Sequence, residues 1–163
     1  MGQLPVYIQI IFILSTLLTV LLLYKSAHYS RSVIIMLFVW LALQSVISLS
    51  GFYTVTNGLP PRFVLLLLPP IILISSLFFT KKGMRFINSL DVKTLTLLHT
   101  VRILVELTLY GLYLHKAAPK IMTFEGSNFD ILCGLTAPFV YYFGYIKNIL
   151  SRRVLITWNI ICL

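Results

Sequence analysis

Long apolar runs alternate with short polar breaks along all 163 residues of the chain. Six runs stand out, at 6–24, 33–53, 63–80, 94–115, 129–146 and 154–163. At about 1.5 Å per residue, the first five each reach across roughly 30 Å of hydrocarbon. The sixth, "VLITWNIICL", is half a span. The pattern predicts an all-α, polytopic transmembrane helix bundle with five full spans plus a partial sixth, forming a single transmembrane helical domain over 1–163. A chain that stops midway through a membrane helix reads as truncated at its C-terminus, with a re-entrant last helix as the alternative.

Breaks within the runs add detail. "LLPPIIL" places Pro69 and Pro70 inside the third run, and "CGLTAPF" places Pro138 inside the fifth. Proline removes a backbone donor and clashes with the preceding turn, so both helices are expected to bend. The stretch before the first run, "MGQLPVY", carries no Lys or Arg, and the first cation, Lys25, follows the run. That polarity is reversed for a cleaved signal, which predicts a retained helix.

The fourth run is the one that breaks the apolar rule. On a helical wheel, His99, Arg102, Glu106, Tyr110 and Tyr113 fall within an arc of about 80°, opposite Leu, Val and Ile. Residues 95–114 hold eight Leu, two Val and one Ile. These favour insertion by roughly 3 to 7 kcal/mol, and Arg102 with Glu106 costs about as much at mid-helix. The stripe is therefore expected to face the protein interior, with Arg102 and Glu106 paired at i and i+4. It reads either as an internal site for a proton, ion or small ligand, or as an ion pair that locks the bundle.

Composition supports membrane residence: 59% of residues are hydrophobic and 10% charged, against roughly 25% charged in soluble domains. The formal net charge of +9 suggests no nucleic acid, because the basic residues are spread over short loops. There the lipid bilayer, and anionic headgroups on its cytoplasmic side, are the natural partners. Nine Lys and Arg fall in the loops after the first, third and fifth runs, against three (Arg62, Lys116, Lys120) in the loops between. This asymmetry predicts a multi-pass protein of the cell inner membrane with its N-terminus outside the cytoplasm. Homo-oligomers or partner helices are further possible partners.

The outward loop "MTFEGSNFDILCG" supplies secondary candidates. Ser127 and Asp130 have capping-box spacing, predicting that the Ser127 hydroxyl accepts from the Asp130 amide. Glu125, Gly126 and Asn128 are left over on a loop expected to be solvated, with folding over the mouth of the bundle as the alternative. Cys133 and Cys162 lie in apolar runs without metal-ligand spacing and read as small buried hydrophobes. His28 and His115 fall near opposite interfaces, away from His99.

Three function classes compete for these residues. Proton-linked transport or small-ligand binding suits the His-Arg-Glu stripe and the proline-containing helices. A structural or partner-dependent membrane subunit suits an Arg102–Glu106 lock. A membrane-embedded enzyme lacks support: the chain contains no G-x-S-x-G and no H-E-x-x-H, and it offers no metal set, catalytic residue or identifiable cofactor. The run "HTVRILVELTLYGLYLH" followed by "PKIMTFEGSNFDILCGLTAP" resembles small multi-pass bacterial inner-membrane proteins with no assigned activity. The resemblance covers roughly the second half of the chain and implies no substrate, cofactor or catalytic residue.

Overall fold

A computed structural model describes residues 4–54, 62 and 64–162. All regular structure among the described residues is helical. The α-helices are α1 (Val6–Ser26), α2 (Arg31–Leu49), α3 (Val64–Phe79), α4 (Lys81–Ser89), α5 (Val92–Leu98), α6 (Val101–Leu114), α7 (Asp130–Tyr141) and α8 (Arg152–Ile161). They fall into two compact units, one of residues 1–26 with 91–163 and the other of residues 27–90.

In the first unit, α1 packs along α5 and α6, and α7 packs on the other side of the same pair. Small and hydroxyl residues line these contacts: Ser15 and Ser26 of α1, Thr108 and Gly111 of α6, and Gly134 and Ala137 of α7 are all buried. Without a side chain at Gly134, α7 approaches α6 closely. A Cβ built there would lie 2.8 Å from Ile103 Cγ1 and 3.3 Å from the His99 carbonyl. Such small-residue contacts bring helices together where lipid supplies no hydrophobic drive.

Helices α5 and α6 form one rod, Val92–Leu114, long and apolar enough to cross a membrane. Asp91 caps its start, accepting from the amides of Lys93 and Thr94, both at 3.2 Å. At His99 and Thr100 the rod tightens. The amides of His99, Thr100, Arg102 and Ile103 bond to carbonyls three residues back, on Thr96, Leu97, His99 and Thr100. This is the 3₁₀ pattern.

α7 and α8 lie antiparallel. Trp158 Nε1 donates to Thr136 Oγ1 at 3.1 Å, and Cys133 and Cys162 form a disulfide with Cα atoms 5.6 Å apart. This corrects the expectation of two unlinked thiols: α8 folds back along α7 and brings together cysteines 29 residues apart in sequence.

In the second unit, α2 and α3 have no buried residue at all. A 98° bend separates α3 from α4. The bend falls at Thr80, whose side chain accepts from the Gly83 amide at 3.1 Å.

The span count also needs correction. Three helices, Val6–Ser26, Arg31–Leu49 and Val92–Leu114, are long and apolar enough to cross a membrane, and a fourth if α3 and α4 count as one broken span. Five full spans are not supported. α3 has 16 residues, about 24 Å of rise. The run at 129–146 becomes a 12-residue α7 followed by a five-residue π turn, Tyr142–Ile146. α3 runs as one helix through Pro69 and Pro70 to Phe79, and α7 passes into the π turn four residues after Pro138. Of the outward segment between the second and third runs, residues 55–61 lie outside the described residues.

Candidate functional site

The five stripe residues lie on the single rod of α5 and α6, and the segment from Lys116 to Phe129 folds back beside that rod. Glu106 is the centre: it is 1% exposed and the largest fully buried side chain among the described residues. Its Oε1 accepts from Asn128 Nδ2. The backbone N–H of Phe124 lies close to the carboxylate, while Oε2 is buried without a hydrogen-bond partner.

Asn128 ties this carboxylate to the start of α7. Its Nδ2 also donates to the Met122 carbonyl at 3.2 Å, and its Oδ1 accepts from the Asp130 amide at 3.2 Å. That last bond overturns the expected Ser127 cap. The Asn128 side chain reaches two residues on, as Asn does in a tight local turn, and Ser127 is left exposed.

Arg102 does not pair with Glu106. Arg102 Nη1 binds Asp130 Oδ1 at 2.6 Å, and among the described residues no ion pair links Arg102 to Glu106. Asp130 at the first turn of α7 provides a carboxylate that stays half-exposed, at 49%, beside a guanidinium 26% exposed. Glu106 lies under the loop, where the neutral Asn128 amide and the Phe124 backbone N–H meet it. The i, i+4 geometry allowed the pairing, but the carboxylate on the neighbouring helix won it. The result is a chain of contacts running Arg102, Asp130, Asn128, Glu106 across α6, the loop and α7.

The other stripe residues hold the ends of this arrangement. His99 packs edge-on against Trp158 of α8, with ring centroids 5.1 Å apart, and its buried Nδ1 has no partner. The Thr100 hydroxyl beside it is also unpartnered. Tyr110 stacks on Phe124 at 4.9 Å and lies 6.2 Å from Tyr113. Tyr113 lines an open groove of about 370 Å³ with Lys116 and Lys120.

Most of the loop is exposed, Glu125 included, yet it is folded. A 3₁₀ turn at Lys120–Met122 leads to Thr123, which is completely buried and donates to the Lys120 carbonyl at 2.8 Å. The Gly126 amide bonds the Thr123 carbonyl at 2.8 Å, and the Lys120 carbonyl and Ile121 backbone leave no room for a Cβ at Gly126. Glu125 lies 3.7 Å from Lys120. The loop therefore acts as a folded strap beside α6. The roles of Asn128, Thr123 and Trp158 were not read from the sequence, although Asn two residues before a helix start is a usable turn signal. No family model, no curated protein and no solved structure matches the chain.

Proposed function

We propose that this chain is a multi-pass protein of the inner membrane, N-terminus outside the cytoplasm, that handles a proton or small ligand at Glu106. Proton-linked transport or small-ligand binding is the activity this site suits. The observation that carries the reading is a mid-span carboxylate, 1% exposed, with one oxygen held by Asn128 and the other without a partner. Intramembrane ionisable groups are costly to keep and mark functional sites by default. An open carboxylate oxygen takes a proton or the donor of a ligand. The strap that supplies Asn128 belongs to a loop on the outward side in the topology drawn from the charge count, so the site would communicate with that side. The unpartnered His99 Nδ1 offers a second proton-accepting atom on the same rod.

A second reading keeps the chain as a structural or partner-dependent subunit. It is favoured by the Arg102–Asp130 pair, which joins α6 to α7 at 2.6 Å. Glu106→Gln separates the two. In vesicles carrying an internal pH-sensitive dye, the wild-type chain is expected to dissipate an imposed proton gradient. The variant is expected to lose that flux while keeping its melting temperature. Equal flux from Glu106→Gln overturns the carrier reading, and absence of flux from the wild type leaves the structural one.

A further inference from the structure

Helix α4 segregates its residues sharply. At about 100° per residue, Lys81, Lys82, Arg85, Asn88 and Ser89 occupy one arc of about 120°, and Gly83, Met84, Phe86 and Ile87 occupy the opposite arc. The cationic side chains are exposed, Met84 is 40% exposed, and Phe86 and Ile87 are half-buried. A continuation of the apolar α3 would show no such division, and α4 leaves α3 at 98°.

The angle is held at both ends. Thr80 caps the first turn, and Gly83 packs directly on the Leu77 backbone with no room for a Cβ. At the far end, the Ser89 carbonyl accepts from His28 Nε2 at 2.8 Å. A helix that enters a bilayer along its normal, followed by a fixed turn near 90°, leaves the next helix lying along the membrane plane. Charge selects what meets it there. The unit of residues 27–90 contains no Asp or Glu, whereas Arg31, Arg62, Lys81, Lys82 and Arg85 all lie in it. The counter-anions of α4 must therefore come from outside this unit.

We propose that α4 is an interfacial helix seated on an anionic lipid surface, with Met84, Phe86 and Ile87 among the acyl chains and Lys81, Lys82 and Arg85 on the lipid phosphates. Short amphipathic helices rich in Lys and Arg bind bilayers this way, through buried apolar area and attraction to anionic headgroups together. The proposal rests on α3 entering the bilayer and is independent of the Glu106 site.

The test uses the full chain in vesicles of phosphatidylcholine, with and without phosphatidylglycerol. Ile87→Cys and Lys82→Cys each carry a bimane label, read with aqueous iodide and with a lipid-borne nitroxide. The Ile87 label is expected to be quenched several-fold more by the nitroxide than by iodide, and the Lys82 label the reverse. Phosphatidylglycerol should raise the nitroxide quenching at Ile87, and Gln at 81, 82 and 85 together should remove that increase. Equal iodide access at the two positions overturns the proposal. So does an Ile87 label shielded from both quenchers, which would mean a protein partner, or one indifferent to phosphatidylglycerol.

Discussion

The side-chain amide of Asn128 donates to Glu106 Oε1 while its oxygen receives the Asp130 amide. One neutral side chain thus connects a buried acid on α6 with the first turn of α7.

Removing that connector should cost more than neutralising the acid. Asn128→Ala leaves the Glu106 carboxylate buried with neither oxygen bonded to Asn128, a penalty of about 1–3 kcal/mol. Glu106→Gln keeps a carbonyl for the Asn128 amide and should change stability by less than about 1 kcal/mol. Thermal unfolding of both variants in one detergent checks the order, and a more stable Asn128→Ala than Glu106→Gln contradicts it.

The Arg102–Asp130 pair is only partly shielded, so its coupling should be on the order of 1 kcal/mol. Each single change to Leu is expected to destabilise, and the double change should recover much of the loss, since replacing a whole pair avoids a stranded charge. A double-mutant cycle on melting curves measures this. Additive losses would show that the two groups do not act together.

Loss of the Cys133–Cys162 link should lower stability by on the order of 3 kcal/mol, from the loop entropy it removes from the unfolded chain. Maleimide labelling gives a direct check. Neither thiol should react before reduction, and both should react after reduction and unfolding. Labelling of the untreated protein would show two free thiols.

Asp91 lies at the mouth of the α5–α6 rod. The Thr94 hydroxyl, followed by the amides of Thr94 and Lys93, holds its carboxyl below the usual carboxylate value. A depressed folded-state value means the stabilisation is complete above the unfolded value, near 3.8, and fades as pH falls through the lower folded one. Asp91→Asn should still cap the helix but lose this acid-limb dependence. Melting temperature against pH from neutral to strongly acid compares the two, and parallel curves contradict the assignment.

The orientation proposed from the charge count predicts that a reporter fused after Arg85 reads as cytoplasmic and one fused after Lys120 as external. The reverse pattern would invert the topology and place the Asn128 strap on the cytoplasmic side.

The helical class was legible because apolar runs of this length admit little else. The stripe was legible because His99, Arg102 and Glu106 keep a helical period. What escaped depends on non-local contact. Asp130 took Arg102 from Glu106, and Asn128 rather than Ser127 reached the Asp130 amide, because the strap folds against α6 and α7 begins beside Arg102. The Cys133–Cys162 link depends on α8 reversing along α7, and a spacing of 29 carries no local signal. At 129–146 hydropathy continues past Tyr141, where the α-helical ladder stops, and at 63–80 the helix fills nearly the whole run but its 16 residues are short for a span.

The tightened turn at His99 and Thr100 resets the phase of everything beyond it. A 3₁₀ step advances about 120° instead of 100°, so two such residues twist α6 by about 40° relative to a uniform rod. On the uniform rod, Thr96 and Glu106 point about 80° apart; the added twist brings them to about 40°. Both are 1% exposed. This single over-wound turn therefore draws a hydroxyl near the start of the rod and a carboxylate at mid-span toward the same side. Straightening it would turn Glu106 out of line with Thr96 without changing any residue of the stripe.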